Sequence, residues 1–285
     1  MTIQWYPGHM AKARRQVTEK LKMVDVVFEL VDARIPFSSR NPVLDDIIQQ
    51  KPRVLILNKS DLADGQKTKQ WISYFKEQGI PAVPINAQEG KGIKEITKAA
   101  QKLMQPKFDR LAEKGMKPRP IRAMSIGIPN VGKSTLINRL VKKNIAKTGN
   151  KPGVTKAQQW LKLGKEIELL DTPGILWPKF EEKEVGEKLA LTGAIKDSLL
   201  HLDDIALYGL KKLKEEYPDA LMRRYQLSVD ELALSEPDLL LLITDKRGFI
   251  NDYERAGEMI ITEIRNGKVG RFTLDNVPQN EDLDQ

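Results

Sequence analysis

Gly127-Ile-Pro-Asn-Val-Gly-Lys-Ser134 is the stretch whose residue types and spacing most directly imply chemistry. It fits G-x-x-x-x-G-K-[ST], in which glycines let successive backbone N–H groups point into one concavity and bind phosphate oxygens. In such a loop Lys133 reaches the β- and γ-phosphates and the Ser134 hydroxyl holds Mg²⁺. Asn130, Val131, Gly132, Lys133, Ser134 and Thr135 form the expected phosphate cradle. The flanks agree. Ile121–Ile126 predicts a strand before the loop, and Thr135–Val141 predicts a helix after it, whose positive end adds to anion binding.

A second constellation, Asn58-Lys-Ser-Asp61, follows the apolar run Arg53–Leu57. The Asp61 carboxylate accepts from both N1–H and the exocyclic amino group of guanine, a donor pair that adenine lacks. Asn58 is expected at the base's other edge and against neighbouring loops, with the Lys59 stem covering the ring face. Asn86-Ala87, after the predicted strand Ile80–Ile85, adds a backbone N–H for the guanine oxygen. Asp171-Thr-Pro-Gly174 fits a γ-phosphate sensor, with Asp171 holding Mg²⁺ through water and the Gly174 N–H on the phosphate. Thr155, in a polar loop, completes the metal shell through its hydroxyl. Each motif is short enough to be a plain turn by itself; in one chain with a phosphate loop they point to a GTP site.

The elements that must position these residues alternate. Residues 10–22 predict a short basic helix, Val24–Val31 a buried strand, and Asn41-Pro42 the start of a helix through Gln50. Helices are expected at about 65–78 and 91–104, followed by a charged, proline-interrupted connection from Lys107 to Arg122. Strands are expected at 157–163 and 166–170. After Pro178 the strand pattern stops. Leu202, Ile205, Ala206, Gly209, Leu210, Leu213 and Tyr217 then recur at helical spacing, and Asn251 or Asp252 could cap a last helix ending at Asn266-Gly267. The fold class is therefore α/β, a mostly parallel sheet flanked by helices over residues 1–178, followed by a smaller all-α domain over 179–285 with a short acidic tail.

Composition narrows the partners. Cysteine is absent, which excludes disulfides and thiolate metal sites, and no apolar run approaches the ~20 residues of a membrane span. A cytoplasmic protein is expected, with no signal-peptide core at the N-terminus. Residues 1–179 carry 33 Lys and Arg against 16 Asp and Glu, a balance of +17, whereas residues 180–285 carry 14 against 23, a balance of −9. A polyanion partner for the first half follows, and with a GTP site RNA is the expected one. Lys12, Arg14, Arg15, Lys20 and Lys22, together with Arg139, Lys142, Lys143 and Lys147, are the candidate phosphate contacts.

The motif order is unusual: Asn58–Asp61 and Asn86-Ala87 precede the phosphate loop, as circular permutation would produce, with the old ends joined near 107–120. On Trp5-Tyr-Pro-Gly-His-Met10, Asp32-Ala-Arg-Ile-Pro36, Gly127–Ser134 and Asp171–Gly174, the chain resembles the circularly permuted GTPases of the YlqF/YawG family. The resemblance covers nearly the whole chain. It implies slow GTP hydrolysis, stimulated by the ribosome, in a late step of large (50S) subunit assembly, with ribosomal RNA and ribosomal proteins as partners. Ile175 stands where Ras-like enzymes place a water-orienting Gln, so His9 is the candidate to orient water. Asn130 implies a K⁺ site beside Mg²⁺. A monomer is expected. A competing reading is a nucleotide-gated RNA- or protein-binding module whose hydrolysis is incidental; a phosphate-loop kinase or ATPase conflicts with Asn58–Asp61.

Overall fold

The computed structural model describes residue 15 and residues 17–48, 51–141, 160–171, 182–249 and 252–278. By internal packing the chain forms two units, one holding Thr2–Lys179 with Asp275–Gln285 and the other Phe180–Leu274.

The first unit is built on six strands, β1 (Val26–Asp32), β2 (Arg53–Asn58), β3 (Ala82–Pro84), β4 (Ile121–Gly127), β5 (Trp160–Leu163) and β6 (Ile167–Asp171). Their order is β3-β2-β1-β4-β6-β5. All neighbours run parallel except the edge pair β5–β6. A parallel sheet is covered on both faces, and β1 is accordingly buried at all seven positions, Glu29 and Asp32 as well as its five apolar residues. Consecutive connections leave β1 towards β2 and β4 towards β6, so the chain diverges between the carboxyl ends of β1 and β4. That crevice is where ligands bind in open α/β sheets.

Among the described residues, helices α1 (Pro42–Ile48), α2 (Gly65–Glu77), α3 (Ile93–Glu113) and α4 (Lys133–Val141) flank this sheet, together with a short N-terminal helix whose described residues end at 21. The start of α2 is set by Asp64, whose side chain accepts from the N–H groups of Gln66 and Lys67 at 2.7 and 3.0 Å. Trp71 and Phe75 of α2 are fully buried against Val31, Leu55 and Leu57, each burial contributing roughly 2–3 kcal/mol. A second cluster joins Val17, Leu21 and Val24 to Leu44 and Ile48 of α1 and to Met124 and Ile126 of β4.

The helix expected to stop near 104 continues to Glu113, straight through Pro106. Proline costs a helix one hydrogen bond and crowds the carbonyl four residues back. The continuation is held by a partner far away in sequence. Lys107, the residue after the proline, donates to Asp25 Oδ1 at 2.7 Å, and Arg119 donates to both Asp25 oxygens at 2.7 and 2.9 Å. The Arg122 N–H adds a fourth bond at 3.0 Å. Burial by itself would raise the Asp25 carboxyl, but these donors outweigh it and hold the group well below the ordinary carboxylate range. The join implied by the permuted order is thus fastened to the foot of β1, and the connection that follows the helix is shorter than expected.

The end of the first unit returns late in the chain. Asp275 Oδ2 accepts the N–H groups of Phe37 and Ser38 at 2.8 and 2.7 Å, and its Oδ1 accepts the Ser38 hydroxyl at 2.7 Å. The Trp71 indole N–H donates to the Asp275 carbonyl at 3.2 Å, while Val277 packs on the Trp71 cluster.

The second unit is helical in its described residues, with α5 (Lys183–Leu191), α6 (Leu202–Glu216), α7 (Pro218–Tyr225), α8 (Val229–Leu232), α9 (Glu236–Lys246) and α10 (Tyr253–Arg265). The predicted apolar stripe buries Ile205, Ala206, Gly209, Leu210 and Leu213 of α6. A Cβ at Gly209 would stand 2.9 Å from Leu191 Cδ1 and 3.1 Å from Ile264 Cδ1, so glycine is what lets α5 and α10 close on α6. Asp252 caps α10 by accepting from the Arg255 N–H, and the helix ends at Asn266-Gly267 as expected. No helix among the described residues is long and apolar enough to cross a membrane.

Candidate functional site

The phosphate loop joins β4 to α4 at the crevice. Helix α4 begins at Lys133, two residues earlier than periodicity predicts, so Lys133, Ser134 and Thr135 all lie on its first turn. Their backbone N–H groups lack intrahelical partners there and are the natural anion donors. The turn into the helix demands special backbone: Asn130 sits at φ 58° and Gly132 at φ 99°. Gly132 is also constrained from outside, because a Cβ would lie 2.2 Å from Asn58 Nδ2. Lys133 is buried, and its Nζ lies at the limit of hydrogen-bond range, 3.5 Å, from the Gly127 carbonyl.

Asn58 brings the dispersed motifs together. Its Nδ2 donates to the Val131 carbonyl at 2.8 Å, and its Oδ1 accepts from the Ala87 N–H at 3.1 Å. One buried side chain at the end of β2 therefore ties the phosphate loop to the Asn86-Ala87 loop. Ala87 is buried, and its N–H, expected to face a guanine oxygen, here donates to Asn58; β3 ends at Pro84, one residue sooner than predicted. Asn86 is buried too and accepts the Glu89 N–H at 2.9 Å. The Ser60 N–H donates to the Ile85 carbonyl at 3.0 Å, which seats the Asn58–Asp61 turn on β3. Asp61 is exposed on that turn.

Lys59 takes a left-handed conformation, φ 60°, and its Nζ lies 2.9 Å from Asp32 Oδ2. Asp32, at the end of β1, is fully buried and receives three donors from Arg34: N–H and Nε on Oδ1 at 3.0 and 2.9 Å, and Nη2 on Oδ2 at 2.8 Å. Burial would raise this carboxyl, but the charges of Arg34 and Lys59 prevail and hold it far below its usual range. Sequence reading missed this cluster as a functional element, although Asp32-Ala-Arg34 at the end of an apolar strand was the available signal.

Asp171 ends β6, and the β4–β6 register sets it opposite Ser125, one strand away from the phosphate loop. His9, Lys12, Arg14, Lys142, Lys143, Lys147, Thr155 and Gly174 lie outside the described residues. Of the basic candidates that are described, Arg15 is exposed and pairs with Glu19 at 3.0 Å, and Lys22 is exposed. Two others differ from expectation. Lys20 is buried, because it falls on the inward face of the short N-terminal helix. Arg139 donates to the Ala87 and Gln88 carbonyls, so it braces the Asn86-Ala87 loop from α4. In the acidic unit, Lys212 pairs with Glu184, Lys214 with Glu236 and Arg224 with Glu263, so these cations are balanced by neighbouring carboxylates.

This geometry has relatives. The 50S ribosome-binding GTPase family model matches residues 122–269, from the strand of the phosphate loop onward. Ribosome biogenesis GTPase A of Bacillus cereus is 58% identical over 280 residues, covering 96% of this chain and 94% of the relative. The chain belongs to the ribosome biogenesis GTPase A family. It is accordingly a GTPase. Among solved structures, GNP-bound YlqF of Thermotoga maritima superposes with a TM-score of 0.64 at 28% identity, over 93% of this chain and 98% of that one. The GDP-bound form of the Thermotoga protein gives 0.61 over 92% and 99%. The family's fold, with its mostly parallel sheet and helical C-terminal portion, is the one described above.

Proposed function

We propose that the chain binds precursors of the large ribosomal subunit and hydrolyses GTP to drive or check a late step in 50S assembly. The observation that carries the nucleotide part is the Asn58 bridge, from Val131 at 2.8 Å to Ala87 at 3.1 Å, which supports one pocket for phosphate and base.

In this reading Asp61 pairs with the guanine N1–H and amino group, and the Lys59 stem covers the ring. Asn58 faces the other edge, oriented by the Ala87 N–H with Asn86 behind it. Backbone N–H groups from Asn130 to Thr135 bind phosphate, and Lys133 leaves the Gly127 carbonyl for the β- and γ-phosphates. Ser134, Asp171 and Thr155 would hold Mg²⁺, which neutralises charge developing on the phosphates; a hydroxyl pair with one carboxylate suits a hard cation completed by phosphate oxygens. The adjacency of β4 and β6 supports Ser134 and Asp171 in that set. The Gly174 N–H meets the γ-phosphate. Ile175 can neither donate nor accept, so His9 orients the attacking water. Asn130, at the left-handed bend of the loop, suits a K⁺ ion that supplements the positive charge.

Arg15, Lys22, Lys12, Arg14, Lys142 and Lys143 make salt-dependent contacts to ribosomal RNA phosphates. The protein acts as a cytoplasmic monomer. The test is GTP turnover alone, with mature large subunits and with immature ones, in K⁺ and in Na⁺. Stimulation by subunits, larger in K⁺, is expected; turnover indifferent to both subunits would remove the assembly role.

A further inference from the structure

We propose that Asp32 is a positioning residue for base recognition: through the ammonium of Lys59, it fixes the lysine stem that covers the face of the guanine ring. The proposal rests on the reading of Asn58–Asp61 as the guanine turn and adds to it a residue outside every nucleotide motif.

The turn is held at several backbone points. The Ala33 N–H donates to the Asn58 carbonyl at 2.8 Å, Ser60 to the Ile85 carbonyl at 3.0 Å, and Leu62 to the Lys59 carbonyl at 2.9 Å. These bonds leave the Lys59 side chain undirected, and Lys59 occupies a left-handed conformation that L-residues with long side chains rarely adopt. Its ammonium is directed by Asp32 Oδ2 at 2.9 Å. With Nζ anchored at the end of β1, the four-carbon stem is held between the Asn58–Asp61 turn and that strand end instead of trailing into solvent.

Asp32 is built for this role. Its own N–H is fixed, since it donates to Ser39 Oγ at 2.9 Å, and Ser39 in turn donates to the Ile35 carbonyl at 2.6 Å. Arg34 clamps the carboxylate along a bidentate edge, at 2.9 Å to Oδ1 and 2.8 Å to Oδ2. A planar guanidinium fixes the plane of its partner, and the Lys59 ammonium meets an oxygen whose direction is already set. Two cations on one buried carboxylate keep it ionised.

Because the stem covers the face of the ring, loss of the anchor weakens every purine nucleotide alike, whereas Asp61 reads the edge. Four variants separate these effects, each assayed by calorimetric titration with GDP, IDP and XDP and by urea denaturation. Asp32→Asn is expected to weaken GDP and IDP by a common factor of about 10, which corresponds to about 1.4 kcal/mol. Lys59→Met keeps the stem and leaves the Asp32–Arg34 pair intact, so it reports on the anchor even where Asp32→Asn unfolds the protein. It should match Asp32→Asn, and the double variant should lose nothing further. Asp61→Asn exchanges an acceptor for a donor and should shift preference from GDP to XDP. Lys59→Met or Asp32→Asn binding GDP as the parent does, while Asp61→Asn shifts to XDP, overturns the positioning role alone. Losses that add in the double variant also overturn it. No shift to XDP in Asp61→Asn overturns the guanine-turn reading itself.

Discussion

Ser38 and Asp275, 237 positions apart, are joined by two 2.7 Å hydrogen bonds, one from the Ser38 N–H and one from its hydroxyl. With the Phe37 N–H as a third donor, a buried carboxylate near the end of the chain closes the loop that follows β1. Asp275→Ala removes the acceptor and leaves those donors unpaired. A loss of about 2–4 kcal/mol in unfolding free energy is expected by urea denaturation. A change below about 1 kcal/mol would make the clasp incidental.

Asp25 gives a pH-dependent prediction with a definite sign. Its folded-state carboxyl is held below the unfolded value by Arg119, Lys107 and the Arg122 N–H, so the unfolded chain takes up the proton first. The contribution is complete above the ordinary carboxylate value, about 3.9, and is lost as pH falls below it towards the folded value. Between pH 5 and 7 the pair should add no slope to stability. Asp25→Asn should lower stability by about 1–3 kcal/mol at pH 7, with Lys107 and Arg119 half in solvent, and should flatten the acid limb of the stability curve. Denaturant midpoints from pH 3 to 7 on both proteins measure it; parallel acid limbs would contradict it.

Gly132→Ala places a methyl group 2.2 Å from Asn58 Nδ2 at a backbone φ of 99°. Either the phosphate loop or the Asn58 bridge must yield, and both lie in the same pocket. GDP affinity should fall at least about 100-fold while far-UV circular dichroism stays unchanged. Calorimetric titration reads this, and binding within tenfold of the parent would show that the pocket tolerates the displacement.

His9→Ala addresses the water-orienting role proposed for the N-terminal motif. Turnover stimulated by large subunits should drop about 10²–10⁴-fold, with GTP affinity unchanged. Intact stimulated turnover would transfer the role to another group.

Arg139→Ala removes the brace from α4 to the Ala87 and Gln88 carbonyls. GDP should bind about 3- to 10-fold more weakly, and the loss should not change with ionic strength beyond the parent's dependence. A steep salt effect on RNA binding instead would return Arg139 to the phosphate-contact set.

Much of the site was legible because its chemistry is local. The phosphate loop requires a strand, glycines and a helix within a short window, and Asn58–Asp61 requires only an apolar strand ahead of it. The meeting of these motifs also followed from their shared ligand, and Asn58 realises it in one side chain. What escaped the sequence depends on distant partners. Nothing near Pro106 reveals that Asp25 will hold the lysine that follows it. Lys20 reads as surface charge until the short N-terminal helix is rotated onto the core. Arg139 looks like an RNA contact because its carbonyl acceptors lie on a loop read earlier in the chain. Asp32 looked like the end of a strand, since its partner Lys59 is supplied by the neighbouring strand's turn.

The position of Asp275 has a practical corollary. Protein shortened to the first 179 residues would keep every nucleotide motif yet lose the plug over Phe37, Ser38 and Trp71. Such a fragment would misreport the affinity of the intact pocket, whereas replacing Phe180–Leu274 by a flexible bridge keeps both ends of the nucleotide-binding body.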